Sequence, residues 1–336
     1  MNNQNRIAVI GAGAWGTALA IHLARLHSEI LLWGRNADQL ATTISERENK
    51  RYLPGIKLPE NIIAETDFSR LVGNATHVLV AVLSTAMRQQ LCAIRDSASP
   101  NLRGIIWATK GLEQVTGKFL HQVASEELPE TINIAILSGP SFASEVAQGL
   151  PTAVTIGSLD NEFSQQVAKL FHHPLFRTYT STDVTGIEIG GTFKNIMAIA
   201  AGIVDGLGFG ANARAALITR GVAEMMRFGK QKEVATETLV GLSGIGDIIL
   251  SCTDNLSRNR RLGLGLGSGK QLQDIEKEIG QVLEGKNAAK VINDLSSQLN
   301  IELPISEQVY QVLYCQKSPR TAVEDLLSRA SKSEVG

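Results

Sequence analysis

One lysine in the middle of this chain stands apart from the other charged residues. Lys194 lies in an apolar stretch from residue 187 to 213 whose other charged residues are only Glu188 and Asp205. If the stretch is a helix, the residues one turn away on the same face are glycine, methionine and alanine, which cannot pair with an ammonium group. An amine held away from water can exchange a proton near neutral pH, because burial disfavours the charged form. The alternative is a lysine that extends from a buried helix to solvent.

Two further residues could act beside such an amine. Lys110 follows the apolar run from residue 105 to 109 and precedes Gly111. This predicts a position at the carboxyl edge of a sheet, where open α/β folds bind ligands. Asp247 follows a glycine-rich segment at the start of an apolar helix. Its carboxylate can either take part in catalysis or simply complement the helix dipole.

The segment from residue 257 to 261 reads Ser-Arg-Asn-Arg-Arg. Three guanidinium groups with hydroxyl and amide donors beside them suit the oxygens of a phosphate group. Ordinary solvated runs of charge have the same composition. Together with the two lysines, the segment favours a small anionic substrate.

The first forty residues supply the element that would hold a cofactor. A short apolar strand starting at Arg6 passes into Gly11-Ala-Gly13-Ala-Trp-Gly16 and then into an apolar-periodic helix. The strand and the helix give the G-x-G-x-x-G pattern the context of a dinucleotide-binding turn. In such a turn Gly11 permits the tight bend, Gly13 lets the backbone approach a pyrophosphate, and Gly16 lets the helix pack close to the strand.

The end of the second strand indicates which dinucleotide is accepted. Residues 30–33 are followed by Gly34-Arg35-Asn36, without the acidic residue that holds the ribose hydroxyls in NAD-specific enzymes. Glu29 cannot replace it, because it lies at the start of the strand. The guanidinium of Arg35 can pair with a 2′-phosphate. We therefore expect NADPH to be a cofactor, with NADH possible; a solvated loop arginine is the alternative.

Apolar runs typical of a parallel sheet alternate with helical patterns as far as residue 187, and an uninterrupted helical pattern follows. The strand candidates are residues 76–82, 104–109, 133–137, 153–157 and 176–179. The sequence therefore predicts an α/β protein with an N-terminal Rossmann-type doubly wound sheet, residues 1–187, and an all-helical C-terminal domain, residues 188–336. At 336 residues the chain is also too long for one compact core.

Two segments resemble known binding sites, but their residue spacing does not match those sites. The glycine-rich run from residue 263 to 269 lacks the glycine and hydroxyl positions of a phosphate-binding P-loop, so we predict a connection between two helices. The adjacent His172 and His173 have no Cys, His or Asp companion at ligand spacing, so no metal site is predicted.

Composition limits the compartment and the partners. The net charge of −1 argues against nucleic acid, since the chain has no general basic field. Three cysteines without C-x-x-C pairing indicate a reducing compartment. No signal-peptide core fits before the first strand, and no uncharged apolar stretch reaches the length of a membrane span. We therefore expect a cytoplasmic protein.

In their order and spacing, the motifs resemble those of bacterial-type NAD(P)-dependent glycerol-3-phosphate dehydrogenases. The resemblance runs from residue 6 to 327 and is carried by residues 11–18, 107–112, 138–143, 194–195, 206–214, 246–247 and 257–261. It implies the reversible reduction of dihydroxyacetone phosphate to sn-glycerol 3-phosphate with NADP(H) or NAD(H), which supplies glycerophospholipid synthesis. It also implies a cytoplasmic homodimer that needs no metal.

The resemblance assigns roles to individual residues. Lys194 becomes the general acid in reduction and the base in oxidation, with Lys110 and Asp247 as the other catalytic residues. The substrate residues that it implies are Lys110, Gly139, Ser141, Lys194, Asn195, Asp247, Ser257, Arg258 and Asn259. The cofactor residues, besides the three glycines, are Ala14, Trp15, Arg35, Lys110, Ala143, Arg258, Val282 and Glu284. The chain departs from the family at Ser251, commonly threonine, and at Phe193, commonly a small residue.

Two other interpretations share part of these observations. A dehydrogenase that acts on a β-hydroxy acid or on ketopantoate could share the buried lysine, but the segment 257–261 favours a phosphate over a lone carboxylate. A regulator that only senses NADP(H) would not need two lysines in the cleft. Oxidation of NADPH in the presence of dihydroxyacetone phosphate distinguishes the three.

Overall fold

The computed structural model of this chain describes residues 5–330, so the outermost ends of both predicted domains lie outside the described residues. Within this range, eight strands form one sheet. They are β1 (Ile7–Ile10), β2 (Ile30–Trp33), β3 (Ile62–Ala64), β4 (His77–Val80), β5 (Gly104–Trp107), β6 (Asn133–Ser138), β7 (Thr152–Gly157) and β8 (Phe176–Ser181).

Helices connect the strands and then form the remainder of the chain. Those of the sheet region are α1 (Ala14–Ala24), α2 (Ala37–Ser45), α3 (Phe68–Asn74), α4 (Met87–Ser97), α5 (Leu120–Glu127), α6 (Ala143–Gln148) and α7 (Asn161–Phe171), with a 3-10 turn at Ser84–Ala86. Those of the helical region are α8 (Val184–Gly206), α9 (Gly210–Gln231), α10 (Thr236–Leu239), α11 (Asp247–Thr253), α12 (Arg258–Gly267), α13 (Leu272–Ile279), α14 (Glu284–Leu299), α15 (Pro304–Tyr314) and α16 (Pro319–Leu327), with a π-helical turn at Leu242–Gly246.

The order of the strands creates a ligand position at the carboxyl edge of the sheet. The order is β3-β2-β1-β4-β5-β6-β7-β8, and the first six strands in this order are parallel. The chain moves from β1 to β2 on one side and later enters β4 on the other side, so the connections diverge between β1 and β4. Open α/β sheets bind ligands at such a topological switch point.

The last two strands differ from the predicted parallel arrangement. β7 pairs antiparallel with β6, and β8 is parallel to β7. Helix α6 has six residues and, at about 1.5 Å per residue, is too short to carry the chain back across the sheet, as a parallel crossover requires. Gly149, with a φ of 80°, ends α6 and turns the chain into β7.

The predicted fold class is confirmed, and each strand candidate coincides with a strand from β4 to β8. Strand β3 has no counterpart in the sequence analysis. It has only three residues, Ile-Ile-Ala, and this apolar run is too short to be recognised as a strand from the sequence.

Helix α8 is the central element of the helical region. It begins at Val184, just before the predicted boundary at residue 188. It is the one helix of the described residues that is long and apolar enough to cross a membrane, but 94% of its most apolar window is buried inside the structure. It packs against α9, α11, α12 and α14 and is the core of this region.

The glycine-rich run from residue 263 to 269 is not the predicted connection between helices. Most of it forms the last turns of α12, which packs directly against α8. A Cβ at Gly263 would overlap the carbonyl oxygen of Ile199, and a Cβ at Gly202 would overlap that of Arg260. These glycines therefore allow two helix backbones to touch.

Candidate active site

The glycine turn between β1 and α1 has the geometry that the sequence predicts. Gly11 has a φ of 116°, which favours glycine, and a Cβ there would collide with the carbonyl group of Ala81. A Cβ at Gly16 would overlap the carbonyl oxygen of Gly11, so glycine lets α1 start directly against the strand. A Cβ at Gly13 would meet no described atom within 4 Å, which leaves the space in front of it open.

The start of α1 offers free donors beside the same turn. Gly13 is the N-cap residue, and among the described residues neither a capping side chain nor a first-turn acid satisfies the helix end. The N–H groups and the positive end of the helix dipole are therefore available to an anion. Asn49 holds the turn in place, since its Nδ2 donates to the carbonyl of Ala12 at 3.0 Å and to Oγ1 of Thr17 at 2.8 Å. No local motif marks Asn49 in the sequence.

A cavity of about 1170 Å³ lies between the carboxyl edge of the sheet and the helical region. Most of the predicted site residues line it, although they come from segments far apart in the chain. They are Gly11, Gly13, Ala14, Trp15, Arg35, Lys110, Ser141, Ala143, Lys194, Asn195, Ser257, Arg258, Asn259, Val282 and Glu284.

Two lysines and one aspartate form a buried cluster at the cavity wall. Lys110 Nζ donates to Oδ2 of Asp247 at 2.5 Å, and Lys194 Nζ donates to Oδ1 of Asp247 at 3.2 Å. The side chain of Asp247 is 1% exposed, and those of Lys110 and Lys194 are 9% and 17% exposed. Ser251 Oγ donates to the same carboxylate at 3.3 Å. Lys194, which has no charged neighbour one turn away on its own helix, therefore acquires one from α11.

Close backbone contact brings Asp247 to Lys194. Asp247 is the first residue of α11 and directly follows the π-helical turn. That turn touches α8, where a Cβ at Gly190 would overlap the carbonyl oxygen of Ser243. Lys110 arrives just after β5, at the carboxyl edge of the sheet, as the sequence predicts. Three distant segments meet here because two backbones can approach without an intervening side chain.

Burial and charge together set the protonation of this cluster. Burial alone would raise the pKa of Asp247, but the ammonium groups of Lys110 and Lys194 hold that pKa below its usual value. Burial lowers the pKa of Lys110 to about 8, against the attraction of Asp247. Asp247 is therefore a carboxylate at neutral pH, and Lys110 loses its proton slightly above neutral pH.

A second group of donors lines the cavity at the start of α12. Ser257 caps the helix, with its Oγ accepting from the N–H of Arg260 at 3.3 Å, and Arg258 and Asn259 form the first turn. Arg258 Nη1 donates to Oε1 of Gln281 at 2.9 Å, which leaves its other N–H groups for the cavity. A helix N-terminus with these side chains is suited to a phosphate group.

Two asparagines connect this end of the cavity to the helix that carries Lys194. Asn259 Nδ2 donates to Oδ1 of Asn195 at 2.8 Å, and Asn259 Oδ1 accepts from the N–H of Gly285 at 3.2 Å. Asn195 follows Lys194 on α8. A group bound at the start of α12 therefore has a fixed position relative to the lysine.

Arg260 does not join the other two guanidinium groups of its segment, contrary to the sequence-based expectation. Its side chain is 8% exposed and donates to Oδ2 of Asp205 at 2.5 Å and to the carbonyl of Cys252 at 2.9 Å. Arg258 and Arg261, three residues apart, share the helix face that lines the cavity, and Arg260 lies on another face. Two guanidinium groups therefore remain available to an anion.

Three predicted site residues, Gly16, Gly139 and Asp247, are not in the cavity wall. The carbonyl oxygen of Gly139 accepts from Lys110 Nζ at 3.2 Å and from Ser141 Oγ at 3.0 Å. Gly139 and Asp247 thus act on neighbouring side chains that do line the cavity. Gly16 serves the packing of α1.

The two departures from the family pattern differ in their consequences. Phe193 is fully buried and packs against Phe228, with ring centroids 5.4 Å apart, away from the cavity. Ser251 lines the cavity and touches Asp247. Only the second departure therefore changes the site.

Several further residues of the cavity wall were not predicted from the sequence. Arg51 and Tyr52 line it, with the guanidinium carbon of Arg51 5.2 Å from the centroid of the Tyr52 ring. Gln90 and Gln281 also line it. No motif marks these residues, and only the folded chain brings them to the cavity.

Glu284 places a carboxylate in the cavity wall. It is the first residue of α14, where a negative charge suits the helix dipole. Burial raises its pKa, although Arg258, Lys194 and Lys110 oppose this effect. Its oxygens can accept hydrogen bonds from hydroxyl or amide groups of a bound ligand.

Comparison with known proteins gives matches over nearly the whole chain. The model of the NAD-dependent glycerol-3-phosphate dehydrogenase N-terminus matches residues 6–164, and the model of the C-terminus matches residues 183–324. A glycerol-3-phosphate dehydrogenase (NAD(P)+) from Thioalkalivibrio sulfidiphilus is 48% identical over 335 residues, which cover 99% of either chain.

Two further matches agree with these. A glycerol-3-phosphate dehydrogenase (NAD(P)+) from Nitrosococcus oceani is 50% identical over 329 residues, which cover 98% of this chain and 95% of the relative. The crystal structure of a glycerol-3-phosphate dehydrogenase from Coxiella burnetii has a TM-score of 0.93 at 41% identity and covers 97% of this chain and 99% of its own. The similarity therefore includes both regions that form the cavity.

Proposed function

The chain belongs to the NAD-dependent glycerol-3-phosphate dehydrogenase family, and on this premise we propose that it reversibly reduces dihydroxyacetone phosphate to sn-glycerol 3-phosphate with NAD(P)H. The observation that carries the proposal is the cluster in which Asp247 holds both Lys110 and Lys194 at the wall of one cavity. Two adjacent ammonium groups suit a reaction in which negative charge develops on a substrate oxygen. The product would supply glycerophospholipid synthesis.

The residues of the glycine turn fit the dinucleotide. The open space at Gly13 and the uncapped start of α1 leave room and donors for a pyrophosphate. Ala14 and Trp15 extend this surface, and Arg35 lines the cavity where the second strand ends. When bound, NAD(P)H supplies the hydride for the carbonyl carbon of the substrate.

Lys194 supplies the proton in this proposal. Its Nζ lies at the cavity wall, where the carboxylate of Asp247 orients it. In reduction Lys194 donates a proton to the carbonyl oxygen of the ketone, and in oxidation it accepts the proton of the hydroxyl group. Lys110 is bound to the same carboxylate and stabilises the negative charge that develops on that oxygen.

Ser257, Arg258 and Asn259 hold the phosphate group of the substrate. They stand at the positive end of α12, and Asn259 is tied to Asn195 beside the catalytic lysine. Binding the phosphate there restricts where the carbonyl group can lie, which reduces the entropy cost of reaching Lys194.

A panel of ketones tests the function. The purified protein is mixed with NADPH and with dihydroxyacetone phosphate, unphosphorylated dihydroxyacetone or ketopantoate, and the loss of NADPH absorbance is followed. We expect kcat/KM to be more than about a hundredfold higher for the phosphorylated ketone, because donors built for a phosphate stay unpaired with the other two. Equal rates with ketopantoate would instead favour a hydroxy-acid dehydrogenase, and binding of NADPH without turnover of any ketone would favour a sensor.

Arg258→Ala tests the position of the phosphate. We expect mainly a higher KM for dihydroxyacetone phosphate, because the variant loses a charged contact that substrate and transition state share. An unchanged KM would place the phosphate elsewhere in the cavity.

We further propose that Arg35 binds the 2′-phosphate of NADPH. Its guanidinium is exposed at the cavity wall, and an arginine can bind a phosphate with two hydrogen bonds. The ratio of kcat/KM for NADPH to that for NADH should fall in Arg35→Ala. A ratio equal to that of the wild type would exclude Arg35.

We also propose a cytoplasmic homodimer whose two domains divide at residue 188. The last strand ends at Ser181 and α8 begins at Val184, so the change from sheet to helices comes a few residues before the proposed division, which falls in the first turns of α8. The three cysteines, without C-x-x-C spacing, support the reducing compartment. Light scattering tests the dimer, limited proteolysis tests the domain division, and cell fractionation tests the compartment.

A further inference from the structure

One buried carboxylate of α8 takes no part in the chemistry proposed above. Glu188 lies on the helix that carries Lys194, somewhat less than two turns before it, and its side chain is 1% exposed. It does not line the cavity. Burying a carboxylate costs free energy unless donors surround it. The partners of Glu188 therefore indicate what this charge does.

Two donors to Glu188 belong to His121, at the start of α5. The N–H of His121 donates to Oε1 of Glu188 at 3.1 Å, and Nδ1 of His121 donates to Oε2 at 2.6 Å. His121 lies in the first turn of α5, where an N–H has no partner within the helix. A carboxylate of the helical region thus binds the beginning of a helix of the sheet region.

A short segment of the chain joins His121 to Lys110. Residues 111–119 lie between the two, after the end of β5 and before the start of α5. Within this segment, Arg88 of α4 donates to both carboxylate oxygens of Glu113, at 2.7 and 2.8 Å. The segment is therefore an ordered connection, and a shift at the start of α5 can reach Lys110 along it.

Lys110 also contacts α8 directly. A Cβ at Gly191 would lie 3.6 Å from Cγ of Lys110, so the stem of this lysine packs on α8 where a side chain is missing. Gly191 lies one turn after Glu188 and one turn before Lys194 on the same helix. The segment that starts at Lys110 therefore meets α8 at both of its ends.

We propose that Glu188 is a positioning residue for Lys110: by binding the start of α5, it fixes the far end of the segment that carries this lysine and so holds the ammonium group at Asp247. Helix α11, which carries Asp247, packs on α8 as well, so α8 supports both partners of the ion pair. A displacement of about 1 Å can lower the rate strongly. This inference rests on the proposed function, in that Lys110 is taken to stabilise charge on the substrate oxygen.

A double-variant cycle tests whether Glu188 acts through Lys110. Glu188→Met keeps the length of the side chain but removes the carboxylate, and we expect kcat for reduction of dihydroxyacetone phosphate to fall about tenfold. The KM for the ketone should change less than about twofold, since the start of α12 is intact. In Lys110→Met, which retains the proton donor Lys194, adding Glu188→Met should lower kcat less than about twofold, because no amine is left at residue 110 to misplace.

Glu224→Met is the matched control. Glu224 of α9 is another buried carboxylate at the start of a helix, where it accepts from the N–H and Oγ of Ser306 at 3.1 and 2.9 Å. Both of these helices belong to the helical region, and neither residue lines the cavity. We expect Glu224→Met to lower the melting temperature while kcat per folded molecule stays that of the wild type.

Two variants of His121 approach the same contact from its other side. His121→Asn keeps an N–H donor close to the position of Nδ1 and should keep kcat, whereas His121→Leu lacks this donor and should lower kcat severalfold. The side chain of His121 is 15% exposed, so these changes disturb the core less than a change at Glu188. Equal values of kcat in the two variants would contradict the role of the contact.

Hydrogen exchange in peptides that cover residues 110–121 tests the contact without turnover. Exchange should be faster in Glu188→Met than in the wild type and unchanged in Glu224→Met, because only the first variant frees the start of α5. Unchanged exchange in Glu188→Met would overturn the inference. An unchanged kcat, an equal fall of kcat in Glu224→Met, or a full tenfold fall in the Lys110→Met background would also overturn it. Failure of the wild type to reduce dihydroxyacetone phosphate would contradict the proposed function instead, while hydrogen exchange would still show whether Glu188 fixes the segment.

Discussion

Two aspartates in the helical region each hold two cations, but they hold different kinds of cation. Asp247 binds Lys110 at 2.5 Å and Lys194 at 3.2 Å, beside the cavity. Asp205 binds Arg214 at 2.7 Å and Arg260 at 2.5 Å, and it does not line the cavity. The two clusters have the same arrangement of charge, although the side chain of Asp205 is 10% exposed and that of Asp247 only 1%.

The type of cation decides what each cluster can do. Arginine keeps its proton under all conditions in which the protein is folded, so the Asp205 cluster can only join the end of α8 to α9 and α12. A buried lysine can give up its proton, and burial lowers the pKa of Lys110 to about 8. The comparison indicates a structural role for the arginine cluster and proton chemistry for the lysine cluster.

The largest effect on activity is expected from removing the proton donor of the lysine cluster. Lys194→Met keeps the length of the side chain but removes the amine, and we expect kcat to fall by about a thousandfold, within the range for loss of a general acid. The affinity for NADPH, measured by quenching of tryptophan fluorescence, should stay near that of the wild type. A kcat close to the wild-type value would remove Lys194 from the reaction.

Removing the carboxylate of Asp205 should lower the stability of the protein rather than its activity. Asp205→Asn leaves Arg260 buried without its charged partner, and we expect the free energy of unfolding to fall by about 3 kcal/mol. Denaturant titration measures this loss, and kcat per folded molecule should change little. A large fall in kcat with unchanged stability would contradict the structural role.

The same substitution at Asp247 should lower activity rather than stability. Asp247→Asn keeps the shape of the side chain but no longer fixes both ammonium groups, and we expect kcat to fall by about a hundredfold through misplacement of Lys110 and Lys194. Steady-state kinetics and a melting curve on the same sample distinguish this from unfolding. If kcat persisted while stability fell as in Asp205→Asn, the two clusters would have the same role.

The smallest expected effect concerns pH. Lys110 carries its charge below a pKa of about 8 and loses it above, so kcat/KM for ketone reduction should decline as pH rises through this value. Lys110→Arg keeps the charge at all these pH values, and the decline assigned to residue 110 should disappear even if the overall rate is lower. A pH profile of the same shape in the variant would assign the decline to another group.

Features that depend on neighbouring residues could be predicted from the sequence. The glycine turn with Gly11, Gly13 and Gly16 folds as predicted, because the strand before it, the turn and the helix after it are specified within about a dozen residues. The same holds for the strands β4 to β8 and for the position of Lys110 just after β5. The direction of β7 could not be predicted in this way, because it depends on how far α6 carries the chain.

The spacing of glycines in the sequence did not show the structural role of each glycine. Gly13 faces open space that a ligand can fill, whereas Gly263 lies against the backbone of α8. Both belong to glycine-rich runs, and the run that contains Gly263 is helical rather than the predicted connection. A missing side chain makes room, but only the neighbouring elements decide whether a ligand or another helix occupies it.

The sequence by itself determined the type of protein: the order of strands and helices, the dinucleotide turn and the residues able to move a proton or bind a phosphate. The tertiary structure alone decided that Asp247 joins Lys110 to Lys194, that Arg260 turns to Asp205, and that Gln90 lines the cavity. The physical reason is that charge pairing and burial act through space between segments far apart in the chain, while the local pattern of residues fixes only the secondary structure of each segment.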